Sequence, residues 1–389
     1  MAMKKLLFDL SVCQPNKESK FHGGGVYGFI VFEACAEKIG GDNILAYLDS
    51  SRYIEPSITR IIHDKAIEVV DAGSEDIEKV IDARQDIAVL YSPLFKPAYN
   101  RISSVPVFVT IHGLRALEMN RDRYEILYGN SVRDKLKAVI KQTFLYQVLW
   151  RKYYDSYSNI FAGGNIKFIT VSNHSKYSIL SHYPNVAEVA VKVLYSPSTD
   201  DVDLSRVEAY EGDPYYLIVS ANRWIKNAYR ALMALDELYS ENRIVAKTLV
   251  TGIADNSKIV RKLKNRYKFS CLGYVPKSTL EALYKGAFAF IYPSLNEGFG
   301  YPPLEAMKYG TPVLSSSFAS IPEVCGDAAI YFNPYAVEEI KNRIIMITED
   351  EAMRREYSAR GVSRWKYIKK RQDADLQTLV GILDKYISE

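Results

Sequence analysis

The stretch Pro293-Ser294-Leu295-Asn296-Glu297-Gly298-Phe299-Gly300-Tyr301-Pro302-Pro303-Leu304-Glu305-Ala306-Met307 decides the fold. It follows the apolar run Ala287-Phe288-Ala289-Phe290-Ile291-Tyr292, whose continuity marks a parallel strand buried on both faces. Proline is tolerated in the first turn of a helix, where its missing N–H had no partner to lose, so Pro302 or Pro303 predicts a helix start. Strand, glycine loop and helix N-terminus then follow in order. Unpaired N–H groups and the positive end of the helix dipole suit such a loop to phosphate oxygens. Glu297 and Glu305, one at each end of the loop, add carboxylates that accept hydrogen bonds from hydroxyl groups such as those of a sugar.

Outward from this stretch, short apolar runs alternate with helical patterns along the whole chain. Candidate strands are residues 5–10, 44–48, 87–91, 105–111, 168–171 and 189–194, then 215–220, 247–251, 269–272, 288–292, 313–315 and 329–331. Helical patterns such as 26–39 and 228–239 separate most of them. This alternation predicts an α/β protein with parallel sheets and helices on both faces. Between the two series, the polar, acidic and proline-bearing residues 196–203 and 211–214 have the composition of a linker. Two doubly wound, Rossmann-like domains are expected, 1–198 and 199–364, facing each other across a cleft. Ligands in such sheets sit outside the carboxyl ends of the strands. The basic, helix-forming tail 365–389 is expected to pack back near the first domain.

Composition narrows the function classes. With 389 residues the chain has room for two or three domains, and 48% apolar with 25% charged residues is ordinary for a globular protein. A net charge of +4, similarly balanced in both halves, leaves no nucleic-acid footprint. Cys13, Cys35, Cys271 and Cys325 lack metal-ligand spacing and suggest a reducing compartment. The N-terminal apolar run is too short for a signal peptide and is interrupted by Asp9. No run of about 18 apolar residues predicts a membrane span. A cytoplasmic location is expected, or a peripheral one at the inner face of the membrane. The 30 tyrosines suit carbohydrate contacts, although most such rings belong to cores and half-buried surfaces.

Residues 115–157 break the rhythm. They are rich in helix formers, in Arg and Lys and in aromatic residues, and Val132, Leu136, Val139, Ile140, Phe144 and Val148 approximate a helical stripe. Helices with such a stripe are usually packed, so the expectation is a helix pair covering the N-terminal sheet. The alternative is a basic amphipathic surface that meets an anionic membrane or a lipid-linked acceptor.

The pattern from Glu297 to Glu305 resembles the E-x7-E signature of retaining glycosyltransferases of the GT-B fold, family 4 in particular. The likeness continues through Tyr309-Gly310-Thr311-Pro312-Val313-Leu314, Ile321-Pro322-Glu323-Val324, Gly326-Asp327-Ala328-Ala329 and Asn333-Pro334. Two glutamates at this spacing would be weak alone, but the order of the flanking elements is specific. The likeness is dense in the C-terminal half and scattered in the N-terminal half.

The resemblance assigns roles residue by residue. Glu297 would hold the hydroxyls of the donor sugar and offset positive charge at its ring. Glu305 would bind the ribose. Arg223 and Lys226, in Ala221-Asn222-Arg223-Trp224-Ile225-Lys226-Asn227 after a strand, would stabilise the departing diphosphate together with N–H groups at Gly298, Phe299 and Gly300. The turns at Thr251-Gly252 and Gly273-Tyr274-Val275-Pro276 would line the nucleotide pocket, with Tyr274 or Val275 against the base. In the N-terminal half, Gly24 and Gly25 of Phe21-His22-Gly23-Gly24-Gly25-Val26-Tyr27-Gly28 correspond to a glycine loop whose backbone approaches the ligand. The polar loop 11–21 before it would shape the acceptor site. His112, at the end of Thr110-Ile111-His112-Gly113, would hydrogen-bond the donor sugar. In Val171-Ser172-Asn173-His174-Ser175-Lys176, Ser172 or Asn173 is expected as a helix cap, with Lys176 near the cleft as the alternative.

A nucleotide-diphosphate sugar, with uracil or guanine as base, is therefore the expected substrate, and a glycan or lipid-linked acceptor its partner. The implied route is front-face displacement with retention, in which the leaving phosphate takes the acceptor's proton. No cofactor is expected. No metal is expected either, because Asp201-Val202-Asp203 lies in the linker and not after a strand. A GT-B nucleotide-sugar epimerase and a non-catalytic binding module are the competing readings. A dinucleotide oxidoreductase is disfavoured, because Gly23, Gly24, Gly25 and Gly28 do not supply G-x-G-x-x-G.

Overall fold

The computed structural model describes residues 4–15, 23–129, 131–162, 165–198 and 206–388. Phe21 and His22, most of the 11–21 loop, and the Asp201-Val202-Asp203 part of the linker lie outside these residues.

The first sheet is built from β1 (Lys5–Asp9), β2 (Ile44–Leu48), β3 (Glu68–Asp71), β4 (Ile87–Ser92), β5 (Val107–Ile111), β6 (Ile166–Thr170) and β7 (Val191–Val193), in the order β3-β2-β1-β4-β5-β6-β7. The second is built from β8 (Tyr215–Ile218), β9 (Lys247–Val250), β10 (Phe269–Cys271), β11 (Ala289–Tyr292), β12 (Val313–Ser316) and β13 (Ala329–Phe332), in the order β10-β9-β8-β11-β12-β13. All pairings are parallel. Both sheets are doubly wound, and the strand order reverses between β1 and β4 in one and between β8 and β11 in the other. The chain therefore has an α/β architecture of two Rossmann-like domains.

The central strands are continuous apolar runs because helices cover both of their faces. In the second sheet Tyr216, Ile218, Val250 and Ile291 pack with Leu232, Leu235 and Leu238 of the helix Ala228–Ser240, all of them buried. Each such leucine contributes about 1.5–3 kcal/mol relative to exposure. Among the described strands, β3 alone escaped the sequence pattern. Its Glu68-Val69-Val70-Asp71 is a half-exposed edge strand, with Glu68 bound by Lys5 and Arg84 and no apolar run to announce it.

The chain divides into two compact units. One holds Met1–Leu114, Lys152–Asp200 and Lys369–Glu389, and the other Arg115–Arg151 and Asp201–Ile368. Residues 115–151, expected with the first domain, group with the second unit, while residues 152–157 of the same segment group with the first. Most of the stripe does not pack either, Ile140 alone of its six residues being half-buried. In the helix Val132–Lys141 the buried residue is Ala138, whereas Val132, Leu136 and Val139 are exposed, as are Phe144 and Val148 beyond it. The anchors of this segment are Met119, Asp122 and Tyr128, which precede the stripe.

The tail is a single helix, Glu351–Ser388. Its part from Lys369 onward groups with the first unit, where Gln372 donates to the Ser196 carbonyl at 2.5 Å and Asp375 accepts from the Tyr195 N–H at 2.8 Å. No helix among the described residues is long and apolar enough to cross a membrane.

Candidate active site

The carboxyl ends of β8 and β11 flank the reversal point of the second sheet, and the two turns that leave them are stitched together. After β8 the backbone enters a short helical turn, Trp224–Lys226, and leaves it through Asn227 in the left-handed conformation (φ 54°). Asparagine tolerates that conformation better than most residues. Its side chain earns the position by donating to the carbonyls of Pro293 (3.0 Å) and Pro334 (2.7 Å). The Leu295 N–H returns a bond to the Ile225 carbonyl at 2.8 Å. Lys226 is thereby fixed against the Glu297 loop, with Arg223 on the same turn.

Glu297 is the centre of this arrangement. Its Oε1 accepts from Lys226 Nζ (2.6 Å), the Tyr292 hydroxyl (2.6 Å) and the Ser294 hydroxyl (2.5 Å). Oε2 accepts no hydrogen bond among the described residues. Burial raises the carboxyl's pKa, but the Lys226 charge and these three donors outweigh it and hold Glu297 below its ordinary value. Burial pushes the Lys226 ammonium below its ordinary value, and Glu297 offsets much of that; Arg223 and Arg115 add to the depression. Lys226 Nζ also donates to the Tyr292 hydroxyl at 2.8 Å and lies 5.2 Å from that ring's centre. The result is a carboxylate kept anionic, with one oxygen committed and one open.

Arg223 and Arg115 are different in kind from Lys226. Both are exposed, and neither guanidinium makes a hydrogen bond or ion pair among the described residues. Two positive charges thus stand near a buried ion pair, a combination that favours an anion.

Beyond Glu297 the loop turns at Gly300 (φ 111°), a conformation that favours glycine, and the helix Tyr301–Lys308 begins with prolines in its first turn. Pro302 and Pro303 remove two of the N–H groups that a helix start would otherwise present. Ser320 donates to the carbonyls of Glu297 (2.9 Å) and Phe299 (2.7 Å) and fixes the direction of the loop's peptides. Glu305 is half-buried on this helix, close enough to the buried Tyr284 for its charge to raise that phenol's pKa, after burial itself.

The segment 115–151 braces the same turns from the other side. Asp122 is buried, accepts two bonds from the Arg230 guanidinium (2.8 and 2.9 Å), and accepts further bonds from Trp224 Nε1 (2.9 Å) and the Tyr124 N–H (3.1 Å). Burial opposes its ionisation, but Arg230 and Trp224 outweigh burial and hold its pKa below the ordinary value. The Arg230 guanidinium lies over the rings of Tyr124 and Tyr335, at 4.6 and 4.9 Å. Asn296, next to Glu297, donates to Glu118.

Gly252 (φ 89°) ends the next strand, where a Cβ would come within about 3 Å of the Asn222 side chain and the Ala221 N–H. With Asn222, Ile253, Ser257, Lys258 and Tyr128 it lines a cavity of about 440 Å³. Tyr274 is exposed at the following turn, with Val275 half-buried beside it, and neither lines that cavity.

In the first unit, His112 follows β5. Its Nε2 lies 3.0 Å from the Pro93 carbonyl, and its ring meets the Tyr27 ring edge-on at 4.8 Å. A carbonyl only accepts, so Nε2 carries a hydrogen in this contact. Gly24 and Gly25 stand in the first turn of the helix Gly23–Ile39, which begins earlier than the expected 26–39. From Gly23 on, the glycine stretch is helix and not loop. A Cβ on Gly24 would press against Leu94, at 2.9 Å. Ser172 caps the helix Asn173–His182 by accepting from the Ser175 N–H, and Lys176 pairs with Glu188.

The structure thus brings Arg223, Lys226, Glu297 and the 298–300 loop together within the second unit. His112, Gly24 and Gly25 belong to the first. The pattern of the sequence did not select Asp122, Arg115, Asn227, Tyr292, Ser294 or Ser320. Tyr292 ends the apolar run and Ser294 lies inside the signature stretch, so adjacency to Glu297 was their available signal.

Residues 201–364 match the family model of the glycosyl transferases group 1. The O-antigen chain mannosyltransferase B of Escherichia coli is 32% identical over 213 residues, which cover 51% of this chain and 55% of that protein. The O-antigen chain mannosyltransferase RfbU of Salmonella typhimurium is 32% identical over 168 residues, 43% of this chain and 46% of that protein. The matches therefore span about half the length of these relatives. The fold is similar to that of WaaG, a glycosyltransferase involved in lipopolysaccharide biosynthesis, with a TM-score of 0.67 at 15% identity, covering 97% of this chain and 99% of that one.

Proposed function

Because residues 201–364 match the family model of the glycosyl transferases group 1, we propose that this chain is a member and moves a hexosyl unit, with mannose the first candidate, from a nucleotide-diphosphate sugar to a glycan or lipid-linked acceptor in polysaccharide assembly. Retention at the anomeric carbon and independence of metal are parts of the proposal. The mannosyl choice is supported by the names of the two O-antigen relatives.

The observation that carries the reading is the state of Glu297: anionic, anchored through Oε1, and open at Oε2. In this reading Oε2 accepts from a donor-sugar hydroxyl, and the carboxylate's charge offsets positive charge developing at the anomeric carbon. Lys226 holds Glu297 ionised and directs it. Arg223, with the peptides of Gly298, Phe299 and Gly300, takes the diphosphate, whose charge rises as the glycosidic bond breaks. Glu305 accepts from the ribose hydroxyls. Gly252, Tyr274 and Val275 stand on the nucleoside side. Gly24, Gly25 and His112 enter the proposal as donor contacts implied by the resemblance, His112 through a hydrogen bond to a sugar hydroxyl. The acceptor hydroxyl attacks on the face that the diphosphate leaves, and the departing phosphate oxygen takes its proton. No second carboxylate acts as nucleophile, unlike the retaining glycosidase scheme.

The test begins with melting curves in the presence of GDP, UDP and ADP, because a ligand that binds the folded state raises the melting temperature. The nucleotide that stabilises is then supplied as its hexose, mannose first, with acceptor and EDTA, and the anomer of the product is read by NMR. An α-linked product from an α-donor in the presence of EDTA is expected. Inversion, or activity abolished by EDTA and restored by magnesium, overturns that part of the reading. Isomerised donor formed without acceptor would make the chain an epimerase.

A further inference from the structure

The second unit carries a surface that the proposed chemistry does not use. The helix Val132–Lys141 places Val132, Leu136 and Val139 at i, i+4 and i+7, on one face, and they are 82%, 59% and 45% exposed. Phe144 (77%) and Val148 (63%) continue the exposure into the next helix. Large apolar side chains exposed along one helix face and in the residues that follow it mark a site of contact. Arg133 and Lys137 flank the face on one side and Lys135 on the other; all three are exposed, and none makes an ion pair among the described residues. The acid of this helix, Asp134, is committed to the Ser131 capping box, and the nearby Glu125 is committed to Lys141.

The helix is held in shape without any occupant of this face. Its N-terminus has the full capping box. At its far end Gln142 donates to the Asp122 carbonyl at 3.1 Å, and Tyr146 donates to the Met119 carbonyl. Asp134 also feels the charges of Arg133 and Lys137, but a preformed apolar stripe flanked by more cations than acids is the pattern of a helix that lies in a bilayer interface, apolar side down and cations among anionic headgroups. A second copy of the chain fits less well. An isologous contact through this face would bring two sets of cations together, with no free acid on the face to pair with them.

We propose that residues 132–148 dock this protein on an anionic lipid bilayer, with Val132, Leu136, Val139, Phe144 and Val148 inserted and Arg133, Lys135 and Lys137 paired with headgroups. The inference stands apart from the choice of donor, because it uses none of the residues around Glu297.

The test is sedimentation of the full chain with vesicles of phosphatidylcholine, with and without phosphatidylglycerol. The wild type is expected to pellet with the anionic vesicles and to dissociate as salt is raised. The double substitution Phe144→Asp, Val148→Asp and the triple substitution Arg133→Glu, Lys135→Glu, Lys137→Glu are each expected to lower the partition coefficient by at least about tenfold. Melting temperatures and nucleotide-induced shifts should stay at wild-type values, because these side chains are exposed. A folded wild type that stays in the supernatant overturns the proposal, as do equal binding to neutral vesicles and full binding by both variants. A wild-type dimer that Phe144→Asp, Val148→Asp converts to monomer, with no vesicle binding, would assign the face to a second copy instead.

Discussion

Asp9 and Glu297 stand at the reversal points of the two sheets, and they are satisfied in opposite ways. Asp9 ends β1 and is fully buried, and both of its oxygens are used. Oδ1 accepts from the Ser11 N–H and hydroxyl, and Oδ2 from Lys96 (2.9 Å) and the Tyr99 hydroxyl (2.6 Å). Glu297 takes all of its donors on Oε1. Asp122 resembles Asp9, with two donors on each oxygen. A buried carboxylate with both oxygens saturated holds a scaffold, because nothing is left to offer a ligand. One with an oxygen open retains the capacity to bind.

The contrast can be broken most directly through turnover. Glu297→Gln should lower kcat by about 10²–10³-fold, the usual scale for losing one charge-stabilising group, and leave the nucleotide-induced melting shift in place. Asp9→Asn should leave turnover within a few-fold of wild type. If both variants lost turnover equally, the division between open and saturated carboxylates would fall.

Asp122→Ala tests the saturated class by stability. It strands Arg230 in a buried site and should cost on the order of 3–5 kcal/mol, or a melting temperature lower by roughly 10 °C. Hydrogen exchange should show residues 115–151 loosening first. Asp9→Asn should cost less, about 2 kcal/mol, because one donor loses its acceptor while Lys96 still reaches water. A smaller effect follows at the other end of the signature. Glu305→Ala should weaken nucleotide binding roughly tenfold, with kcat at saturation little changed, as titration calorimetry and steady-state kinetics would show.

The smallest expected effect is the pH dependence of stability. The folded-state pKa of Glu297 is depressed, so its contribution is complete above the ordinary glutamate value of 4.5 and is lost as pH falls through the folded value. The melting-temperature difference between wild type and Glu297→Gln should therefore be constant at neutral pH and shrink only below about 4.5. A difference that shrank as pH rose would mean that Glu297 is protonated in the folded state.

Much of the fold was legible because buried parallel strands need continuous apolar runs, and those runs stand in the sequence from Leu6 to Phe332. The edge strand β3 was not, because a half-exposed strand held by Lys5 and Arg84 carries no such run. The helix start at Gly23 was missed because glycines predict a loop by local propensity, while packing of Gly24 and Gly28 against Leu94, Cys13 and Pro93 favours side chains without a Cβ. The stripe from Val132 to Val148 carried a correct period and a wrong expectation. Periodicity shows that a helix has an apolar face but not what covers it.

The candidate site divides in the same way. Glu297, Glu305, Arg223 and Lys226 follow strands in fixed order, and strand order in a doubly wound sheet brings the ends of β8 and β11 side by side. Local pattern therefore sufficed to select Arg223, Lys226 and Glu297, which the fold places near one another. The bond between Asp122 and Arg230 closes a separation of 108 residues, and nothing near either residue announces it. Sequence alone determined which chemical groups leave each strand, because the alternation of apolar runs and turns is a local property. Tertiary structure decided which oxygen of each carboxylate is occupied, which cations stay unpaired and which apolar stripe faces water. Those depend on distances between residues far apart in the chain, which exist only once the chain has folded.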